Sequence, residues 1–421
     1  MILKITAIPY LIVAIIHGLG LLTRGQAMRI LKKGSFFIGL AIFINICMIY
    51  LMYWSYPAAE GPSHTGYAMK EIPTLNFAEL LIPENIFYNL SNNIIPAVVV
   101  FCILFGISLM YIADKQSFMS NMQTLLDSLS KVTSWIARIT PIGTFIIMAL
   151  QAGTIQISTI KQMSTYIILF IIGTSMVTFW IIPRLASMLT PMKAITWIKN
   201  LIPVLILTYT TTLTIVALPY IISIIRREVQ MLYPKDENVQ TQVQGTVSII
   251  FNLPLGSIFT AAFVFFTSVF FATKLGFPEQ FKLLLTTFLT CLGAVGLGSW
   301  INSLTFILDS LGLPLDAINL FLVVVPFTAG FQSMVSAMLI STLAFLIMLA
   351  GRGLLTFNWK KVVLNTAFTI LPVLAVFATI KYLDLLPRIK NESKTIFDMG
   401  IDTTVAAVSY THLTLPTILR V

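Results

Sequence analysis

Charge is what this sequence has least of. Asp, Glu, Lys and Arg make up 10% of its 421 residues, where a soluble domain carries roughly 25%. No water-facing surface can be built from so few charged groups. With 57% hydrophobic residues and a mean hydropathy of +0.92, the chain belongs in lipid. That excludes a soluble enzyme, a nucleic-acid-binding domain and a disordered tail protein as readings of the whole chain. Cysteine and histidine are sparse too, three of each. Cys47, Cys102 and Cys291 all stand in apolar runs and read as small packed residues, neither a disulfide set nor a metal site. His17 reads as a packed side chain and His64 as a solvated one. No P-loop, dinucleotide fingerprint, activated nucleophile or metal-ligand cluster is written in the chain, so no enzyme, no cofactor and no nucleotide-driven pump is expected.

What the sequence does hold is a series of charge-free runs: 5–23, 36–59, 85–113, 139–160, 162–183, 200–225, 238–273, 283–308, 317–351 and 362–380. Each supplies the roughly 20 apolar residues that a helix needs to cross a bilayer. No alternation of β-barrel type appears, so the expected fold is an all-α, polytopic membrane protein. The 26 basic residues outnumber the 16 acidic ones, giving a net charge of +10. In a membrane protein that excess marks cytoplasmic loops. Arg24, Arg29, Lys32 and Lys33 therefore read as inside. The segment 57–84, with Glu60, Glu71, Glu79 and Glu84 against Lys70, reads as a large external loop.

Two runs break the alternation. Run 200–225 has basic residues at both ends, and Thr208-Tyr-Thr-Thr-Thr-Leu-Thr214 interrupts it. Run 283–308 is interrupted by Gly293-Ala-Val-Gly-Leu-Gly-Ser299. Both read as re-entrant hairpins, entering from opposite faces. Non-helical backbone at membrane depth survives only where protein or a wet cavity surrounds it, and paired interruptions point to a transporter's midplane site. Run 317–351 would span about 50 Å as one helix, so a break is expected at Pro326 or Gly330.

Several strings, in order and on these spans, resemble the dicarboxylate/amino-acid:cation symporter family, the glutamate-transporter-like elevators. They are Ile82-Pro-Glu-Asn-Ile-Phe-Tyr-Asn-Leu90 leading to Ile95-Pro96 and Phe105-Gly-Ile107, Thr140-Pro-Ile-Gly-Thr-Phe145, Ala217-Leu-Pro219, Phe251-Asn-Leu-Pro-Leu-Gly256 and Asp309-Ser-Leu-Gly-Leu-Pro314. The resemblance covers roughly residues 5–352. It implies an elevator-type transporter with two re-entrant helical hairpins and broken helices, and a homotrimer in the cell inner (plasma) membrane. Its division of the chain would be scaffold-like spans over 1–199, a transport-like region over 200–352, and an extra span with the start of an external segment over 353–407. The family's first helix has no counterpart, since 5–23 aligns with its second. Some relatives join the permease to an external solute-binding module, which an outward continuation would suit. Val408–Thr417 resembles the translation of a transposon-type sequencing adapter, so 408–421 is expected to be an appended scar.

The family pattern also marks what has been lost. Its seventh helix carries an Asn-Met-Asp-Gly sodium motif, and between Gly256 and Leu275 this chain is about four residues short and lacks it. Its eighth helix offers aspartates and an arginine to the substrate; Pro326–Met338 has no charge at all. Sodium or proton coupling therefore loses its expected motif, and a carboxylate substrate loses its arginine. The candidate substrate-binding residues left are Thr210, Thr211, Thr212, Thr214, Gly293, Gly296, Gly298, Ser299, Thr328, Gln332, Ser333 and Ser336, with Asn252, Ser257, Thr260 and Asn302 beside them. Asn45 reads as helix glue. The function expected is secondary transport of a small organic solute such as a dicarboxylate or amino acid. The alternative is a transport-deficient membrane anchor or sensor for an external binding module.

Overall fold

Thr212 and Leu213 are all that separates two helices, Ala194–Thr211 and Thr214–Leu232, which fold back along each other. Thr212 makes the turn by adopting left-handed backbone, with φ 57°. The chain is described from a computed structural model, which covers Pro9, 12–13, 15–20, 24–57, 85–91, 95–129, 131–132, Trp135, 157–233, 239–273, 275–291, 297–356 and 359–387. The external loop, the string at Thr140, the tip glycines Gly293 and Gly296 and the adapter-like tail lie outside the described residues.

After a helical stretch at 15–20, the order is α1 (Arg24–Ser55), α2 (Ile86–Ser91), α3 (Ile95–Leu109), α4 (116–129), α5 (Ile157–Met176), α6 (Ile182–Leu189), α7 (Ala194–Thr211), α8 (Thr214–Leu232), α9 (Val239–Phe251), α10 (Thr260–Phe270), α11 (Phe277–Thr290), α12 (Leu297–Ser310), α13 (Ala317–Arg352) and α14 (Trp359–Tyr382). No strand occurs among the described residues. Four helical stretches there are long and apolar enough to cross a membrane: Gly34–Ser55, Ile160–Leu189, Ala317–Arg352 and Val362–Tyr382. By contrast α11 and α12 have 14 residues each, about 21 Å of helix, too short for a hydrocarbon core of about 30 Å. A pair of half-length helices packed side by side is what a re-entrant hairpin requires.

Between α9 and α10 the helix is interrupted over residues 252–256, where Pro254 follows Asn252 and Leu253, and a 3-10 turn at Ser257–Phe259 restarts it. This is the expected broken helix. The break expected in run 317–351 does not occur. Here α13 runs unbroken for 36 residues with Pro326 inside it. Proline removes one backbone donor, and this one is carried within an otherwise hydrogen-bonded helix enclosed by neighbours. Gly353 ends α13 in left-handed backbone at φ 71°, with Leu354 N–H returning to the Leu349 carbonyl at 3.0 Å, a Schellman-type stop.

Packing makes α13 the axis of the molecule. It touches α1, α5, α7, α8 and α9, and nearly all of its side chains are buried. One large apolar core therefore joins α1 and the α5–α6 span to both hairpins, α9–α10 and α14. A second, smaller core gathers Ile15, Ile16 and Leu19 with Val98, Cys102, Leu109 and Met119. Trp197 of α7 stacks on Phe345 of α13, with ring centroids 4.7 Å apart, and its Nε1–H donates to Thr342 Oγ1 at 2.8 Å. A Trp197→Phe chain keeps the stack and loses the donor, so its thermal unfolding in detergent should drop by the equivalent of about 1 kcal/mol. Glu228 closes the foot of the first hairpin: it is buried, accepts from Asn200 Nδ2 of the opposite arm at 3.1 Å, and pairs with Arg227 at 2.8 Å. The added span α14 leans on α1 and α6, with Trp180 Nε1–H bonded to the Thr369 carbonyl at 3.3 Å and Lys381 Nζ to the Trp54 carbonyl at 2.6 Å.

Candidate functional site between the hairpin tip, the helix break and α13

Three interruptions of regular structure meet along the middle of α13. The first is the tip of the α7–α8 hairpin. Ser333 Oγ–H donates to the Thr212 carbonyl at 2.6 Å, and Thr214 Oγ1–H reaches the Ser333 carbonyl at 3.4 Å. Gly330 makes the approach feasible. A Cβ there would stand 2.8 Å from the Tyr209 carbonyl and 2.8 Å from its ring, so this glycine serves close contact rather than a helix break.

The second is the α9–α10 break. A Cβ on Gly256 would stand 2.7 Å from the Gln332 carbonyl and 2.7 Å from Ser336 Cβ. From the other side α1 supplies Asn45, fully buried, whose Nδ2–H donates to the Leu255 carbonyl at 2.8 Å. Asn252 Nδ2–H folds back to the Ser248 carbonyl at 2.6 Å. The third is the end of α11 that leads into the turn of the α11–α12 hairpin. Ser257 Oγ–H faces the Cys291 carbonyl at 3.4 Å, Cys291 Sγ faces the Ser257 carbonyl at 3.7 Å, and Ser303 Oγ–H donates to the Thr290 carbonyl at 2.8 Å.

Of the residues expected at the site, Thr212, Thr214, Ser333, Gln332 and Ser336 are brought together. Thr210, Thr211 and Thr328 are not used this way. Their hydroxyls bond back to Ile206, Leu207 and Val324 of their own helices at 2.9, 2.7 and 3.0 Å, and Thr210 faces outward. Such back-bonding satisfies a threonine inside a helix without any partner. Gly298 and Ser299 lie in the first turn of α12, and the side chains of Ser299 and Asn302 fall outside the described residues. Residues not anticipated for the site are Tyr209, Asn45, Thr290, Cys291 and Ser303. A surface cavity of about 530 Å³ beside Pro219, Ser223, Arg226, Gln230 and Gln240 is a separate feature at the basic end of α8.

The chemistry available is neutral. Buried side-chain atoms without a hydrogen-bond partner around the three interruptions are Asn45 Oδ1, Asn252 Oδ1, Thr260 Oγ1, Thr287 Oγ1 and Gln332 Nε2. Amide and hydroxyl groups are left to receive a ligand, and the middle stretches of these elements carry no charged side chain. Among the described residues no three His, Cys, Asp or Glu side chains gather. An ion at membrane depth without a countercharge costs several kcal/mol. The donor set present therefore does not fit a carboxylate-held sodium ion.

Two hairpins and a broken helix converge on one central helix, among helices long and apolar enough to cross a membrane, and the family that the sequence matches is one of transporters, not of enzymes. The chain belongs to the Sodium:dicarboxylate symporter family, whose sequence model matches residues 1–349. It is similar to the proton/glutamate-aspartate symporter of Escherichia coli (strain K12), with 24% identity over 246 residues. That match takes in 56% of this chain and spans 54% of the length of the Escherichia coli protein.

Proposed function

We propose that the chain is a multi-pass permease of the inner (plasma) membrane. It moves a small organic solute of the dicarboxylate or amino-acid class through the space between its hairpin tips and α13. The observation that carries this reading is the seating of the Thr212 carbonyl on Ser333, within the same turn of α13 where Gly256 seats the helix break on Gln332 and Ser336. Irregular backbone buried at membrane depth, next to unpaired amides and hydroxyls, is where a transporter holds its solute. Hydroxyls, amides and backbone N–H groups do the binding in this reading. The arginine and sodium carboxylates of the family pattern have no part in it. The glutamate-aspartate relative and the family's name favour an acidic solute or its close analogues, and its trimeric assembly is taken from the same resemblance.

Purified protein in liposomes, offered labelled succinate, aspartate and serine with sodium, proton or no gradient, is expected to show saturable uptake. Replacing Ser333 by alanine removes the donor to Thr212 and should lower uptake about fivefold, the equivalent of about 1 kcal/mol. Vesicles that accumulate none of these solutes under any gradient would defeat the reading. A second reading, a transport-deficient anchor or sensor for an external binding module, draws on the uncharged site and on α14 lying beyond the family-matched residues. Measurable uptake removes it; solute binding to the vesicles with no accumulation favours it.

A further inference from the structure

The smaller core meets the hairpin-bearing body along α9, and the seam between them is lined with small and amide side chains. On one side Gly18 presses on α9: a Cβ there would stand 2.9 Å from Ser248 Cβ and 3.5 Å from Gly245 Cα. Within the smaller core Leu19 fills the notch left by Gly106 of α3, where a Cβ would come within 2.7 Å of it, and Gly20 lies against Met119 of α4. Gln244 Nε2–H of α9 donates to Gln123 Oε1 of α4 at 3.2 Å across the seam. Across the seam itself run the Gly18 contact, the Gln123–Gln244 bond and an apolar fringe in which Met122 of α4 and Ile249 of α9 take part.

His17 stands in this seam. It is 2% exposed, and its Nδ1 has no hydrogen-bond partner. The elements around it supply few charges. Its own stretch at 15–20 has no other titratable group, α3 offers the Cys102 thiol, and α9 has no charged residue. From α4 comes the carboxylate of Asp127, which acts on the ring and whose Oδ1 accepts from Gln123 Nε2–H at 2.8 Å. Lys115 is tied to the Leu109 carbonyl at 3.0 Å, and Arg352 of α13 to Gln242 Oε1 at 3.0 Å. Ionisable groups inside a membrane protein are costly, and by default mark function.

We infer that His17 is a proton-binding site that controls whether the small core and the hairpin body stay closed on each other. A proton taken up at Nδ1 turns the ring into a cation whose new N–H finds no acceptor in the closed seam. The charged ring favours an arrangement in which the seam parts and water or the Asp127 carboxylate reaches it. The step is a proton transfer from solvent to one nitrogen lone pair. It communicates with the helix break through few atoms, because Ser248, against which Gly18 packs, accepts the hydrogen bond from Asn252 at the start of the break. The inference concerns the seam and holds whether or not a solute is moved.

The test is a thiol cross-link across the seam in the full chain in liposomes. It uses Gln123→Cys with Gln244→Cys and Cys47→Ser, and a short bifunctional thiol reagent. Thiol reactivity itself varies with pH, so the readout is the rate relative to the same chain carrying His17→Gln. That ratio should fall severalfold between pH 8 and pH 5.5, and matching pH profiles in the two chains overturn the proposal. If His17→Gln fails to assemble, His17→Asn takes its place. An independent measurement follows the imidazole resonance of His17 in a chain carrying His64→Asn and His412→Asn. A resonance that stays fixed from pH 5 to pH 9 overturns the proposal as well. Uptake is not used in either experiment, so a failure of the transport reading is separately visible.

Discussion

Gly256→Ala is expected to abolish uptake and to lower the thermal stability of the protein in detergent by about 1–3 kcal/mol, the range for forcing an extra methyl group into a packed interior. The backbone at this position is ordinary, with φ −97° and ψ −37°, so a side chain is not resisted by local conformation. Resistance comes from what lies opposite. The added carbon would stand 2.7 Å from the Gln332 carbonyl oxygen and 3.2 Å from Ser336 Cα, both backbone atoms of α13, as well as 2.7 Å from Ser336 Cβ. Backbone atoms of a helix buried on all sides cannot swing away as a long side chain could. The broken segment has to lift off α13, which parts the α9–α10 break from Gln332 and Ser336. Adding Ser336→Gly removes one of the contacts and leaves the Gln332 carbonyl, so the double variant should recover part of the stability and less of the uptake. A Gly256→Ala protein with unchanged melting and unchanged uptake would show that the break is not seated on α13 as described.

The parts of this molecule that were legible in the sequence are those fixed by local chemistry. Seven residues rich in threonine disfavour helix, and the helix stops within them, at Thr212 and Leu213. Pro254 between Leu253 and Leu255 interrupts α9–α10 for the same kind of reason. Pro326 shows where local reading fails. A proline disfavours helix by an amount that surrounding contacts can exceed, and α13 is packed against α1, α5, α6, α7, α8, α9 and α12. Gly330 reads from its sequence as a place for a break, and only the position of Tyr209, far away in the chain, makes it a close contact. The hydroxyl candidates divide in the same way. Thr210, Thr211 and Thr328 have the composition of a polar site, but their rotamers turn them back on their own helices. Ser333 is distinguished from them by a carbonyl 121 residues away. Glu228 follows two arginines and looks like part of a solvated run, yet Asn200 of the other arm helps to hold it in the interior. Pattern identifies elements, and pairings of high sequence separation identify the site.

Asn45→Leu tests the most distant of those pairings, and it should destabilise the protein by about 1–3 kcal/mol, the cost of leaving a buried acceptor unmade. The Leu255 carbonyl lies in the interruption after α9, where no helix continues to receive it, and orphan groups at helix ends need an outside donor. Asn45 Nδ2–H provides one at 2.8 Å from a side chain of 0% exposure. Leucine repeats the branching of asparagine with bulkier methyl ends, so crowding adds to the lost donor, and lipid offers no water to replace it. Asn45→Asp separates the hydrogen bond from the shape. An ionised carboxylate cannot donate to Leu255 and places an unmatched charge beside it, whereas a protonated carboxyl can donate. The melting temperature of Asn45→Asp should therefore rise as pH is lowered, while that of Asn45→Leu, referred to the parent protein at each pH, stays level. Uptake should follow the same order, with both variants impaired at neutral pH and only the aspartate variant recovering in acid. If the two variants melt alike across the pH range, the Asn45 donor is not what holds the break, and the site must be organised from α13 and the hairpin tip alone.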